Sequence, residues 1–191
     1  DVSAHGNVLV EREVDQCRIR SRGAVVVARG RIVGGLVKAL RGVDADRIGS
    51  DAGIVTEIIS GEDFELEEKL EALEARRDEH QRMREKIQEK LDPFTRIAKI
   101  PDNIRAAISA LRTQVKELTR QIEAIETEME ALRAEFHEQR VLEVIVRRYV
   151  APDAIFKLAN LALRAREGFP GPVKVGIRDG DIHFMETTVR R

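Results

Sequence analysis

Residues 2–10 read VSAHGNVLV and recur as residues 19–27, IRSRGAVVV, so the sequence opens on a repeat. The two copies start 17 residues apart (19 minus 2), and a weaker copy begins at Val37. Within each copy an aliphatic residue returns every five to seven positions, so that three steps make one period. These aliphatic residues are Val2, Val8, Val14, Ile19, Val25, Ile32, Val37, Val43, Ile48 and Ile54.

This double periodicity predicts a parallel β-helix, or β-solenoid, with three short strands per coil. Each strand would point an aliphatic side chain into a narrow core, and the coils must stack because one coil cannot bury its own apolar residues. Glycines such as Gly6, Gly23 and Gly30 stand where the chain would turn a corner. The alternative is an antiparallel meander, but the two-residue Asn-Gly type turns that it needs are not prominent here.

Residues 62–140 have a helical composition, rich in Glu, Arg and Lys and without glycine. The second half of this segment has apolar residues at alternating spacings of four and three, which is typical of a coiled coil. They are Ile104, Ile108, Leu111, Val115, Leu118, Ile122, Ile125, Met129, Leu132 and Phe136. The first half begins the same way at Leu66, Leu70 and Leu73, turns polar at Arg77, His80 and Arg84, and recovers at Ile87, Leu91 and Phe94.

Two helices of similar length are expected to fold back on each other as a long antiparallel coiled-coil hairpin. The turn is placed near residues 99–103, because Pro101 disfavours helical geometry at Ile100. A hairpin brings both of its ends back to the same place, which an insertion in β sequence requires. His80 is expected to be a tolerated polar residue of the seam rather than a metal ligand.

The composition becomes strand-like again after Arg140, and Asp179-Gly180 predicts a tight β-hairpin turn. Residues 162–166 fit either a strand or a helix. The closing segment is expected to rejoin the solenoid and cap its C-terminal end. The predicted fold class is α+β, with solenoid at 1–61, a coiled-coil hairpin at 62–140 and the rest of the solenoid at 141–191. Since the chain begins inside a repeat, further sequence is expected upstream.

Composition narrows the function classes. The 33 Lys and Arg balance 34 Asp and Glu, whereas a dedicated nucleic-acid binder shows a basic excess. The single cysteine, Cys17, forms no internal disulfide, and no apolar run is long enough to span a membrane. The four histidines show no metal-ligand or acid–base spacing, and Ser50 and Thr56 have no histidine nearby. We therefore predict a protein that is not an enzyme, with no catalytic residue, metal or cofactor.

Several short motifs in a fixed order resemble the C-terminal region of the bacterial flagellar assembly protein A family. They are Gly30–Gly35, Ile48–Gly53 with Thr56 directly before the helical segment, Val150–Ala154 after it, and Asp179–Ile182. The sequence departs from the family at Asp153, where glycine is expected, and at Ala151, where an aromatic residue is expected. The resemblance implies a β-helix with an inserted coiled coil in a cytoplasmic protein of flagellar assembly or positioning, and it implies no catalytic residues. With the general rule for parallel crossovers, it favours a right-handed solenoid.

The leading functional hypothesis is a scaffold that binds other proteins, flagellar or regulatory, through the solenoid, the hairpin or both. Phe94, Ile97 and Ile100 at the predicted hairpin tip are the candidate contact residues; the alternative is that they only pack the bend. Self-association as a bactofilin-like cytoskeletal element is a second hypothesis. A third is an acyltransferase of the hexapeptide-repeat kind, but His5 is the only histidine in the repeat segment.

Overall fold

The computed structural model of the chain describes residues 1–95 and 102–187. These residues divide into two compact units. The first unit joins Asp1–Phe64 with the segment that begins at Phe136, and the second unit is Glu65–Glu135. The first unit is therefore discontinuous in sequence, since it contains residues from both sides of the helical segment.

The described strands form one twelve-stranded, mostly parallel sheet that wraps into a β-solenoid. Their bounds are β1 (Val2–Ala4), β2 (Val8–Val10), β3 (Glu13–Ser21), β4 (Val25–Ala39), β5 (Val43–Ile48), β6 (Thr56–Ser60), β7 (Glu143–Val150), β8 (Ile155–Leu158), β9 (Leu161–Arg164), β10 (Phe169–Pro170), β11 (Val173–Arg178) and β12 (Asp181–Glu186).

Parallel pairing arranges these strands in three columns, which are the three faces of the solenoid. Successive partners are Val2, Ile19, Val37, Ile58 and Phe156 on the first face; Val8, Val25, Val43 and Val144 on the second; and Val14, Ile32, Ile48 and Val150 on the third. The columns contain nine of the ten aliphatic residues that define the sequence repeat, all except Ile54. The repeat therefore predicted which residues would stack.

The strands differ from the short ones expected. Strand β4 runs for 15 residues and contributes to all three faces. It turns the corner between the third and first faces at Gly34 and Gly35, whose φ angles are 69° and 76°. At Gly35 a Cβ atom would lie 2.1 Å from the carbonyl oxygen of Cys17, so only glycine lets the two coils approach this closely. The backbone hydrogen bonding between coils thus continues around the corner, so that the expected short strands form one bent strand.

The core consists of the stacked aliphatic columns. Ile32, Val37 and Ile58 are 0% exposed, as is Phe156, whereas Val2 is 46% exposed. Val2 differs because its strand, β1, pairs on one side only among the described residues. Cys17 is partly buried against the edge of the core.

Antiparallel strands close the C-terminal end of the solenoid. Strand β9 pairs antiparallel with β8 on the first face, β11 with β7 on the second, and β10 with β7 on the third. Strand β12 extends β11 through a turn at Asp179 and Gly180, whose φ angles of 52° and 87° fit the predicted tight hairpin turn. The ambiguous residues after Leu161 form strand up to Arg164.

The second unit is built from two long helices, α1 (Phe64–Thr95) and α2 (Asp102–Gln139). In α2 every predicted seam residue from Ile104 to Leu132 is buried or half-buried, and most positions between them are exposed. The guanidinium group of Arg133 on α2 lies 3.2 Å from the carboxylate of Glu74 on α1. Neither helix has an 18-residue stretch apolar enough to cross a membrane over its described residues.

Candidate functional site

The contact residues predicted at the helix ends are only partly described. Phe94 is half-buried in the last turn of α1. Ile97 and Ile100 lie outside the described residues, so their role at a hairpin tip stays a prediction.

The chain leaves the solenoid for the helical segment, and returns from it, at the corner between the first and second faces. We call Ser60, Gly61, Val141 and Leu142 the insertion corner. The amide of Gly61 donates to the carbonyl oxygen of Ala39 (2.8 Å), and the amide of Val141 donates to that of Leu40 (2.9 Å). Since Ala39 and Leu40 are adjacent, the preceding coil holds both ends of the insertion side by side.

A buried hydroxyl ties the two ends to each other. The side chain of Ser60, which is 0% exposed, donates toward the carbonyl oxygens of Val141 (2.7 Å) and Glu143 (3.0 Å). Gly61 has φ of 82°, and a Cβ atom there would lie 2.4 Å from Cδ2 of Leu142. The corner therefore needs a small hydroxyl residue followed by glycine, for reasons of hydrogen bonding and space.

The start of α1 is also fixed to the solenoid unit. Arg22 Nε donates to Asp63 Oδ2 at 2.9 Å, and Asp63 is only 4% exposed. The guanidinium group of Arg20 lies 5.0 Å from the ring centroid of Phe64, the first residue of the helix. A half-buried charge-assisted hydrogen bond and a cation–π contact thus fix the first residues of the insertion.

Within the helical unit, both helices line a shallow cleft of about 460 Å³. Its apolar lining is Met83, Ile87 and Leu118, and charged and amide side chains surround them. Nearby in sequence, Nδ1 of His80 is buried and has no hydrogen-bond partner among the described residues. A buried imidazole nitrogen without a partner is a local weakness of this unit.

A second candidate surface lies at the corner between the second and third faces of the solenoid. Its groove of about 780 Å³ is lined by arginines with three acidic side chains and small residues between them. We call this groove the arginine corner: Arg12, Arg29, Arg31, Arg47 and Arg148, with Glu11, Glu13 and Asp46.

Hydrogen bonds from Arg147 hold this corner across three coils. Its Nη1 donates to the carbonyl oxygen of Ala28 (3.0 Å), and its Nη2 donates to Asp44 Oδ2 (2.6 Å). Arg148 Nε lies 3.3 Å from Asp46 Oδ2, and Asp46 is 8% exposed. A half-buried carboxylate, Asp44, and a buried one, Asp46, are thus paired with two adjacent arginines.

Local contacts raise the pKa of two groups on the outer side of the third face. A hydrogen bond to Glu13 and its negative charge raise the pKa of Arg31. Partial burial raises the pKa of Tyr149, and the charge of Asp51 and a 3.3 Å hydrogen bond to it add to the effect. Arg47 lies 5.3 Å from the Tyr149 ring centroid and lowers this pKa in part.

The hydroxyl residues that were considered as nucleophiles have structural roles. Thr56 Oγ1 accepts a hydrogen bond from the amide of Gly34 (2.7 Å) and donates to the carbonyl oxygen of Ile54 (3.2 Å). Ser50 Oγ accepts from the amide of Ala52 (3.0 Å). Within residues 1–95 and 102–187, no group of three or more His, Cys, Asp or Glu side chains is placed to hold a metal ion.

The arginine corner was missed from the sequence, although a signal for it was present. Arg12, Arg29 and Arg47 are separated by 17 and 18 residues, the same spacing as the aliphatic repeat. The prediction considered only the apolar residues at that spacing, so it did not include these arginines.

The motif that departs from the family pattern also has a structural explanation. Asp153 has φ of 66°, in the left-handed region where glycine was expected. Aspartate tolerates this conformation better than most residues, and its carboxylate accepts a hydrogen bond from Arg164 Nε at 3.1 Å. Ala151 is buried, and its methyl group would lie 2.9 Å from a Cβ atom placed on Gly49.

A comparison with family models identifies the solenoid. Residues 1–182 match the model of the FapA, or flagellar assembly protein A, β-solenoid domain. No curated protein and no solved structure matches the chain significantly. The match covers most of the chain, including both solenoid segments and the helices between them, and the chain therefore belongs to the flagellar assembly protein A family.

Proposed function

We propose that this chain is a non-catalytic scaffold and protein-interaction module that acts in bacterial flagellar assembly or positioning. The observation that carries the proposal is the insertion corner, where the solenoid closes its hydrogen bonding around the two ends of the helical segment. Such a corner allows a long insertion to be presented without interrupting the core. A cytoplasmic location and protein partners are part of this proposal and follow from the family.

The helical segment is proposed to be an antiparallel coiled-coil hairpin. Support comes from the buried seam of α2 and from the ion pair between Arg133 and Glu74. The helices have 32 and 38 residues, which corresponds to roughly 48 and 57 Å of helix. The proposed division of the chain is 1–61, 62–140 and 141–191, and the proposed solenoid hand is right.

The far end of the hairpin is the proposed partner contact, through Phe94, Ile97 and Ile100. The test is a pull-down from bacterial lysate with the double variant Phe94→Ser/Ile97→Ser. We expect the captured partner to be lost while helicity by circular dichroism is unchanged. Met83→Ser is the matched control, because Met83 is 44% exposed on the same helix away from its end. Unchanged capture by the double variant would contradict the contact.

A self-assembling, bactofilin-like element is the second candidate. In its favour, the solenoid is built from parallel coils that stack on one another, and Leu9 is 76% exposed on β2. Against it, the opposite end of the solenoid is closed by antiparallel strands, so head-to-tail stacking has no matching parallel edge. Electron microscopy distinguishes the two candidates, since filaments at micromolar concentration would favour self-assembly.

A further inference from the structure

The arginine corner carries a local excess of positive charge on a chain whose net charge is −1. Five arginines face three acidic residues around the groove, an excess of two positive charges. Apart from Asp46, the charged groups of the groove are solvent-exposed. A ligand can therefore reach them without any opening of the fold.

The arginines differ in what they already bind. Arg31 pairs with Glu13 at 2.6 Å, and Arg148 pairs with Asp46 at 3.3 Å. The guanidinium groups of Arg12 and Arg29 make no ion pair with any side chain in the described part of the chain. These two arginines thus keep all of their donors available for an external anion.

The backbone under these arginines is rigid. A Cβ atom on Gly30 would lie 1.3 Å from the carbonyl oxygen of Arg12, so the first two coils touch at this corner. The amide of Arg31 donates to that same oxygen at 3.0 Å. Adjacent coils stand about 4.8 Å apart, and Arg29 directly precedes Gly30, the residue that lies against Arg12. Because the close contact fixes the backbone positions of the two arginines, only their side chains must be ordered on binding.

The chemistry of the groove selects a ligand class. The planar guanidinium fork matches carboxylate and phosphate oxygens. A nucleic-acid strand would bring an unbroken line of phosphates against Glu11, Glu13 and Asp46, and no aromatic side chain lines the groove for base stacking. A peptide can place its carboxylates at the arginines and neutral residues at the acidic positions.

We propose that the arginine corner binds an extended acidic segment of a partner protein, rich in Asp and Glu, with Arg12 and Arg29 as the principal contacts. This inference rests on the proposed function in one respect, since it names the chemistry of a partner of the solenoid. It uses a surface separate from the hairpin tip, so the two can fail separately.

The test measures binding of a fluorescent octaglutamate peptide to the full chain by anisotropy at low salt. We expect Arg12→Ser/Arg29→Ser to weaken binding by at least about tenfold, because each removes a charge-assisted hydrogen bond. Arg12→Lys/Arg29→Lys keeps the charge and should weaken binding less. For the unaltered chain, binding should fall as salt rises from 50 to 300 mM, since exposed charges are screened.

Matched controls separate this site from general attraction. Arg18→Ser removes an exposed arginine of β3 outside the groove and should leave affinity within about twofold. The tip variant Phe94→Ser/Ile97→Ser should bind octaglutamate normally even if it loses its lysate partner. Equal binding by the Arg12→Ser/Arg29→Ser variant and the unaltered chain would overturn the proposal. So would tighter binding of an oligothymidylate than of octaglutamate.

Discussion

The solenoid unit and the helical unit differ in how completely they exclude water from their apolar side chains. In the solenoid, Val25, Ile32 and Ile58 are 0% exposed. In the helices, the most enclosed seam residues such as Ile122 and Met129 are 6% and 2% exposed, and others such as Ile87 and Leu118 are only half-buried. The inner coils of the solenoid enclose each inward-pointing side chain between the coils above and below and between three faces. Each helix covers the seam of the other from one direction only.

This difference teaches which part of the molecule tolerates change. A solenoid position has a fixed volume and a fixed neighbour in the next coil, so a truncation leaves a cavity. The seam of α1 accepts Arg77 and His80 among its apolar residues, both of them half-buried. The solenoid is thus suited to hold a rigid position, and the helices are suited to vary their surface.

The largest effect is expected when an isoleucine is truncated to alanine in the solenoid, compared with the same truncation in the helices. Ile32→Ala should lower the free energy of unfolding of the solenoid by about 3–5 kcal/mol, because Ile32 is 0% exposed between two coils. Ile87→Ala, at a half-buried seam position, should cost about 1 kcal/mol. Urea unfolding followed by circular dichroism measures both. Equal costs would contradict the difference between the units.

The insertion corner gives the next largest effect. Gly61→Ala should lower the free energy of unfolding by about 2–3 kcal/mol. Alanine is strained at the positive φ of this position, and its Cβ atom would clash with Leu142. Gly180→Ala is the matched control: its φ is 87°, but nothing lies within 4 Å of the added Cβ atom. The control should cost only about 1–2 kcal/mol of backbone strain. A Gly61→Ala variant no worse than its control would show that the corner is looser than its contacts indicate.

A substitution in the helices should have the opposite sign. His80→Leu replaces a half-buried imidazole whose buried Nδ1 has no hydrogen-bond partner among the described residues, so we expect the free energy of unfolding to rise by about 1 kcal/mol. His137→Leu, at an exposed position of α2, should change stability by less than about 0.5 kcal/mol. Thermal melting at 222 nm measures both. A loss of stability in His80→Leu would mean that the imidazole makes a favourable contact in this unit.

The smallest effect is a titration of the third face. Tyr149 is the only tyrosine, so its absorbance at 295 nm reports one group. Its pKa is raised, and the stability it contributes is therefore present below about pH 10 and lost as the pH rises through the raised value. Asp51→Asn should lower the midpoint of the Tyr149 titration, because it removes the negative charge and leaves a weaker hydrogen-bond acceptor. An unchanged midpoint would leave partial burial as the sole cause.

Much of the solenoid could be predicted because residues that stack on each other are separated by one period of the sequence repeat. Each aliphatic residue from Val8 to Ile48 meets its counterpart one period away, so the period itself gives the pairing. The length of strand β4 was harder to predict. A corner at which the backbone hydrogen bonding between coils continues has the same amino-acid composition as a corner at which it stops. The insertion corner depends on contacts such as that of Ser60 with Val141, residues far apart in sequence, which no local pattern reports.

The most direct test of the central claim removes the helices. Deleting residues 62–141 joins Gly61 to Leu142 and leaves three residues between Ser60 and Val144, as Leu40–Gly42 stand between Ala39 and Val43. If the solenoid is one body that closes across the insertion, this variant should give a β-rich circular dichroism spectrum and a single cooperative thermal transition. A chain without a cooperative transition would contradict the claim and show that the solenoid depends on its helices.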